Sequence, residues 1–230
     1  MTHPAPEFVD QRALTLAMDV ALLLEQSHQR QGESLGGAHA RSAITSAALL
    51  LECVSNSCLF SLTLPARLLE ELDKLSPIAK FDYYLFSRSG KHVDRGCRET
   101  ELAADVLKLR DHIVHPKPKP GLIAGDGTHQ YVDYGETKSL AIPLDSREWT
   151  HEDGRKVAEA ATGFLSSFFL TWCGQHKGQV TCLLTAREPI VIRHAPPAWV
   201  YIAESELQLV KRWLPELLEF MDLRAPQADA

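Results

Sequence analysis

The sequence predicts an all-α protein: a helical bundle with a small β-hairpin or loop insertion and a C-terminal helical extension. Three observations predict it. Apolar residues recur three and four apart over most of the chain, which gives helices with one apolar face. Period-two alternation with clustered glycine is confined to the middle, residues 117–150. With 230 residues, 45% apolar and 23% charged, the composition is that of a globular chain able to bury a large core.

Taken in order, residues from about 7 to 30 place Val9, Leu14, Ala17, Met18, Ala21 and Leu22 at helical spacing, ahead of a polar loop, Gln29–Gly37. A second helix, about 38–62, sets Ile44, Ala48, Leu51 and Cys58 on one side and Glu52 with Asn56 on another. Residues 43–64 are the most apolar long stretch. A core helix is predicted there rather than a membrane span, which would have to hide the Glu52 carboxylate. Pro65 stops this run; short helices follow at about 66–75 and from Pro77 to about Ser87.

A further helix is predicted from about Thr100, as N-cap, with Glu101 in its first turn. Leu102, Val106, Leu109 and Ile113 form one apolar line, with Ala103, Leu107 and Val114 beside it and Arg110 among them. Pro116 disfavours helical geometry at His115, and Pro118 and Pro120 prevent resumption. Beyond it, Gln130–Tyr134 and Leu140–Pro143 alternate as in a small hairpin. Thr150 with Asp153 opens a helix to about Cys173 as a capping box. Val180–Leu184 and Pro189–Ile192 read as short strands. A last helix from Ser205, with Gln208 completing a capping box, carries Leu207, Val210, Leu214, Leu217 and Met221 on one face. Residues 7–175 are therefore predicted as one helical domain with an insertion at 117–150, and 176–224 as an extension on the same core.

Several function classes are disfavoured. The first seven residues hold neither a basic nor an apolar run, so a cytoplasmic rather than secreted protein is expected, with no membrane partner. Five cysteines without a C-x-x-C pair fit reduced thiols. Neither a P-loop nor G-x-G-x-x-G occurs. His92, Cys97, His112 and His115 lack the second spaced pair of a zinc site, so neither a metal nor another cofactor is predicted. A net charge of −6 speaks against a general nucleic-acid-coating protein. The charge is uneven, however: Arg88 to Lys119 holds eight Lys/Arg against five Asp/Glu, and the rest of the chain sums to −9. That window reads either as a solvated face or as a small phosphate-facing patch suited to one strand. Tyr83 and Tyr84 beside it suit core packing more than base stacking.

The stretch Leu109-Arg110-Asp111-His112-Ile113-Val114-His115-Pro116 carries the most chemistry. An Arg five residues before a His is expected by chance about 0.6 times in this composition, and about 0.06 times with Asp, Asn or His after the Arg, so the polar neighbour makes the match selective. Residues five apart on a helix are rotated by about 140°, so Arg110 and His115 share a face only if the helix ends between them. Asp111 and His115, four apart, do share one, and the carboxylate can fix the imidazole tautomer. A guanidinium grips phosphate oxygens through paired hydrogen bonds, while an imidazole moves protons. Together they suit metal-free phosphodiester cleavage. The same residues also suit a plainer arrangement: Arg110 paired with Glu52 in the core, and His115 capping a helix end.

Arg110-Asp111-x-x-x-His115 resembles the Arg-polar-x3-His motif of the HEPN superfamily. The preceding apolar helix with its internal Glu52 and Asn56 extends the resemblance over about residues 10–116 and to the helix at 152–173. Residues 117–150 and the C-terminal third carry no feature of that family. The resemblance implies an all-α bundle that forms a homodimer through the motif helices. It also implies a metal-independent endoribonuclease acting on single-stranded RNA, a toxin or defence protein with an antitoxin as partner. His115 would be the general acid/base, Arg110 the phosphate and transition-state group, and Asp111 their support. Asp111, where Asn is usual, adds negative charge near an RNA phosphate. Lys117, Lys119, His112 and Arg95 would hold substrate, and Glu52 and Asn56 would brace the site. The family also includes non-catalytic modules that bind nucleotide, RNA or protein, which is the alternative expectation.

Overall fold

Residues 12–114, 122–125, 130–186 and 198–226 are described by a computed structural model of the chain. They form a mostly α-helical structure around one core. Helix α1 (Ala13–Gln29) leads through a short turn into α2 (Ser34–Phe60), then α3 (Ala66–Asp73), α4 (Pro77–Ser89) and α5 (Arg98–Val114). A hairpin of β1 (Leu122–Gly125) and β2 (Gln130–Asp133) precedes α6 (His151–Ser166), which continues as a π-helical segment, Ser167–Trp172. Helix α7 (Lys177–Thr185), β3 (Val200–Tyr201), α8 (Glu204–Trp213), α9 (Leu217–Phe220) and β4 (Leu223–Arg224) complete the order. Strands β1 and β2 pair antiparallel, with Leu122 opposite Asp133; β3 and β4 pair in parallel.

Helix α2 is the axis, packing on α1, α3, α4, α5, α6 and α7. Small residues make this crowding feasible: Ala40, Ala43, Ala47 and Ala48 are sealed, with Ile44, Leu51 and Val54 filling the spaces between. By length and composition α2 would suffice to cross a membrane, but 61% of its most apolar window lies buried against these neighbours. Its start is fixed by Gly36, where a Cβ would lie 2.1 Å from the Arg30 carbonyl oxygen, and by Ser27 Oγ donating to Gly36 O at 2.9 Å. Only a residue without a side chain permits that approach. Helix α4 starts at Pro77 as expected, with Ser76 as N-cap, and Gly90 at φ 69° ends it.

Several expectations are corrected. The loop predicted at Gln29–Gly37 shrinks to residues 30–33, since α2 starts at Ser34 and absorbs Gly36 and Gly37 into a helix held by packing. Helix α5 begins at Arg98, so Thr100 is a buried first-turn residue facing Cys97 Sγ at 3.2 Å instead of the N-cap. The hairpin partner of β2 is β1, not Leu140–Pro143. That segment instead forms a turn, with Thr137 N–H donating to Ile142 O and both Ser139 and Leu140 N–H donating to Asp105. Val180–Leu184 is helical: its apolar run is buried on several sides, which a strand-like run and a buried helix share. The last helix is capped by Glu206 accepting from Ala203 N–H at 3.0 Å, while Gln208 reaches back to Glu204. It breaks at Leu214 because Pro215 follows, so Leu217 and Met221 lie beyond it. The strand expected at Pro189–Ile192 lies outside the described residues. The capping box of Thr150 and Asp153 is present.

Candidate functional site

Helix α5 buries Ala103, Val106 and Leu109 and thereby sets the direction of Arg110. The Arg110 guanidinium points at α2, where Nη2 donates to Glu52 Oε2 at 2.5 Å; Nη1 donates to Asp111 Oδ1 at 2.9 Å. Its side chain is 15% exposed, against 35% for Glu52 and 59% for Asp111. The cation thus has one half-sheltered carboxylate and one solvated carboxylate, and the triad carries a net negative charge. Buried Arg110 Nε has no hydrogen-bond partner among the described residues.

One turn further along α2, Asn56 Oδ1 accepts from Lys80 Nζ at 2.6 Å, and Lys80 also reaches Asp73 at 2.9 Å. Lys80 itself is buried, so its ammonium is compensated by one amide and one carboxylate. Glu52 and Asn56 both face a cleft of about 770 Å³ that is otherwise largely apolar, with Leu16, Leu49, Cys53 and Leu69 among its walls. Both residues therefore sit where the sequence put them, on a polar line crossing the apolar helix. Glu52 braces the motif arginine and Asn56 braces a lysine.

Beyond Arg110, the last turn of α5 approaches the N-terminal half of α2, so the two helices run in opposite directions. His112 and Ile113 face Arg41, Ser42, Thr45 and Ser46 across a groove of about 630 Å³. Arg41 also faces a second cleft of about 820 Å³ at the start of α2, shared with Arg147 and His151. Arg41 Nη1 lies 3.5 Å from where a Cβ on Gly37 would be, so the guanidinium folds back over that glycine toward the helix start.

The predicted site residues are thus partly gathered. Arg110, Asp111, Glu52 and His112 lie at one end of α5. Arg95 does not join them: it is exposed before the first turn of α5, and about 18 Å of helix separates Arg98 from Arg110. Among the described residues, the basic window accordingly divides between the two ends of α5 and makes no single patch. Asp111 turns to Arg110, its chain neighbour. His115, Lys117 and Lys119 lie outside the described residues. Tyr84 is core: its hydroxyl accepts from Gln175 Nε2 at 3.1 Å, and burial pushes its pKa above the usual phenol range. Burial likewise raises the Cys58 thiol and pushes Cys173 up to about 12, so neither is a ready nucleophile. Among the described residues no group of three or more His, Cys, Asp or Glu is placed to hold a metal ion.

Sequence reasoning missed Arg41 and its polar neighbours. The signal was present: positions 41, 42, 45 and 46 recur at helical spacing as a polar stripe on an otherwise apolar helix. Compared with protein-family models, with curated proteins and with solved structures, the chain matches none.

Proposed function

We propose that the chain is a HEPN-like, metal-independent endoribonuclease that cuts single-stranded RNA as a homodimer, with Arg110 and His115 at its centre. The observation that carries the proposal is the state of Arg110. Glu52 holds the guanidinium in a fixed orientation, while its second carboxylate, Asp111, is solvated and exchangeable. Exposed ion pairs contribute about 0–1 kcal/mol, so a phosphate can replace Asp111 at small cost and leave the Glu52 anchor intact. His115 would take the proton from a ribose 2′-OH, and the 2′ oxygen would then attack phosphorus. The P–O5′ bond breaks, the 5′ oxygen recovers a proton, and the products are a 2′,3′-cyclic phosphate and a 5′-hydroxyl. Arg110 would stabilise the charge on the pentacoordinate phosphorus. Exposed Leu49 on α2 and Val114 at the end of α5 give the motif region apolar surface for a second copy to cover.

A second reading, a non-catalytic module of the same type with a nucleotide, RNA or protein partner, is favoured by one fact. Both terminal nitrogens of Arg110 are engaged by the chain's own carboxylates. One experiment separates the two: wild type and His115→Ala are incubated with a panel of RNAs in excess EDTA. Cleavage by wild type alone, leaving cyclic phosphate ends, is expected. Loss of cleavage on chelation ends the metal-free mechanism. Inactivity of folded wild type on the whole panel leaves the binding role.

A further inference from the structure

The geometry points to a ribose-phosphate binding groove along the first half of α2, in which Arg41 takes a phosphate while Ser42 and Thr45 accept hydrogen bonds from ribose 2′-hydroxyls. The inference deepens the RNA reading above and rests on it. Arg41 is half-buried, and its guanidinium makes no ion pair or hydrogen bond among the described residues. Arg30, Arg110, Arg147, Arg155, Arg212 and Arg224 each meet a carboxylate, whereas Arg67, Arg88, Arg95 and Arg98, like Arg41, show no ion pair among the described residues. Arg41 differs from these four in lining the two clefts at the start of α2. A guanidinium held in a groove without a counter-charge is a site for an anion, and its fork suits phosphate oxygens.

Its surroundings add to this. By folding over Gly37, the guanidinium lies near the start of α2, where the first turn holds no acidic residue and Glu33 as N-cap contributes no side-chain bond. The first backbone N–H groups of a helix have no acceptor within it and favour negative charge. Acidic groups do stand at the rim of that cleft. Glu33 pairs with Arg30 at 3.7 Å and Glu152 with Arg155 at 3.0 Å, whereas Glu148 faces the cleft with no such pair among the described residues. Arg147 is matched by Asp145, so of the two arginines lining the cleft Arg41 is the one without a carboxylate partner among the described residues, with Glu148 as the unpaired acid at its rim.

The hydroxyls point to RNA rather than DNA. Ser42 Oγ donates to Ala38 O at 3.0 Å and Thr45 Oγ1 to Arg41 O at 2.9 Å. With their hydrogens committed to the helix, both oxygens turn lone pairs outward, as acceptors for a donor such as a 2′-OH. From Gly37 to Thr45 the helix rises about 12 Å, enough for a short stretch of one strand. The groove opens at His112 and Ile113, so a strand lying in it would lead directly to the end of the motif helix.

The test uses a fluorescent single-stranded RNA of about 12 nucleotides and its DNA counterpart, with anisotropy read over a salt series in a His115→Ala background. Cleavage is followed separately with His115 intact. Arg41→Ala is expected to weaken RNA binding several-fold and to flatten the slope of log Kd against log salt by about 0.7, one phosphate contact on a single strand. Arg41→Lys should restore the slope, and melting temperatures should match the parent. RNA should bind more tightly than DNA, a preference that Ser42→Ala with Thr45→Val removes. Unchanged affinity and slope in Arg41→Ala overturn the groove even if wild type cuts RNA. Arg41-dependent RNA binding without any cleavage sustains the groove and removes the nuclease. Equal binding of RNA and DNA overturns the 2′-hydroxyl assignment.

Discussion

At the scale of single residues, the two carboxylates on Arg110 are unequal, and the difference is measurable. Glu52 spans two helices through a contact in which Arg110 is mostly shielded, while Asp111 is the solvated neighbour of Arg110 on its own helix. Glu52→Gln keeps the shape and removes the charge, leaving a sheltered cation poorly matched. A loss of about 1–2 kcal/mol is expected, against less than about 0.5 kcal/mol for Asp111→Asn. Urea denaturation of both variants checks the ranking; equal losses would show that Glu52 is no anchor. His151 offers a second measurement. Its ring lies among His28 and Trp213, with Glu152, Arg155 and Arg212 around it; burial first, then His28, holds its pKa below the ordinary value of 6.5. The folded state therefore favours the neutral ring. Its contribution is complete above pH 6.5 and is lost as pH falls, because the unfolded chain takes up the proton first. Glu25, pushed up by burial but drawn down more by Trp213, Gln29 and Arg212, loses its contribution only as pH falls below 4.5. Melting temperature should thus drop in two separate windows on acidification. His151→Phe should abolish the upper one.

At the scale of elements, helix α5 carries more than its motif. Asp105, two turns before the last, accepts from Ser139 N–H at 2.6 Å and Leu140 N–H at 3.0 Å, tying the 137–142 turn to the motif helix. Leu140 and Ile142 are buried beneath that turn. Asp105→Ala leaves two amides unanswered and should cost about 2–4 kcal/mol, with fast hydrogen exchange at Ser139 and Leu140 as the local sign. Protection there equal to wild type would show that the turn holds without Asp105. The sequence could not reveal this bond, since 34 residues separate Asp105 from Ser139 and neither position has a local signature. What was legible is local: the Thr150–Asp153 box, the Pro77 start, and the internal Glu52 of the apolar helix as a partner for Arg110. What was not legible is decided by packing. Gly36 looks like a loop residue until the backbone of the preceding turn is seen 2.1 Å from its missing Cβ. Val180–Leu184 looks like a strand because a helix buried on several sides loses its period. Arg41 escaped notice because its significance lies in lacking a carboxylate, which depends on tertiary neighbours.

At the scale of the whole molecule, the C-terminal segment is joined to the same apolar core as the motif helices. Leu207, Val210, Trp213, Leu214, Leu217, Phe220 and Met221 all belong to the cluster that holds Ile44, Leu51 and Leu109. Trp213 Nε1 and Arg212 both donate to Glu25 on α1, and Ser166 on α6 donates to Glu219 at 2.6 Å. Burying seven such side chains contributes about 10–20 kcal/mol, as large as the whole stability of an ordinary domain. A chain ending at Ala203 should therefore have no cooperative thermal transition and should bind hydrophobic dye, with Arg110 and Glu52 losing their fixed arrangement although both remain in the chain. The opposite result, a sharp transition in the shortened protein, would mean that the motif helices and their partners form a unit without the extension. Calorimetry of the full chain bears on the same point. One core predicts one heat-absorption peak, whose calorimetric and van't Hoff enthalpies agree. In that case a mutation in α8 that destabilises the protein depletes the folded state near its melting temperature as much as an equally destabilising change in α5. Well below that temperature neither change reaches the proposed groove, so the affinity expected for RNA there would depend on Arg41, Ser42 and Thr45 alone.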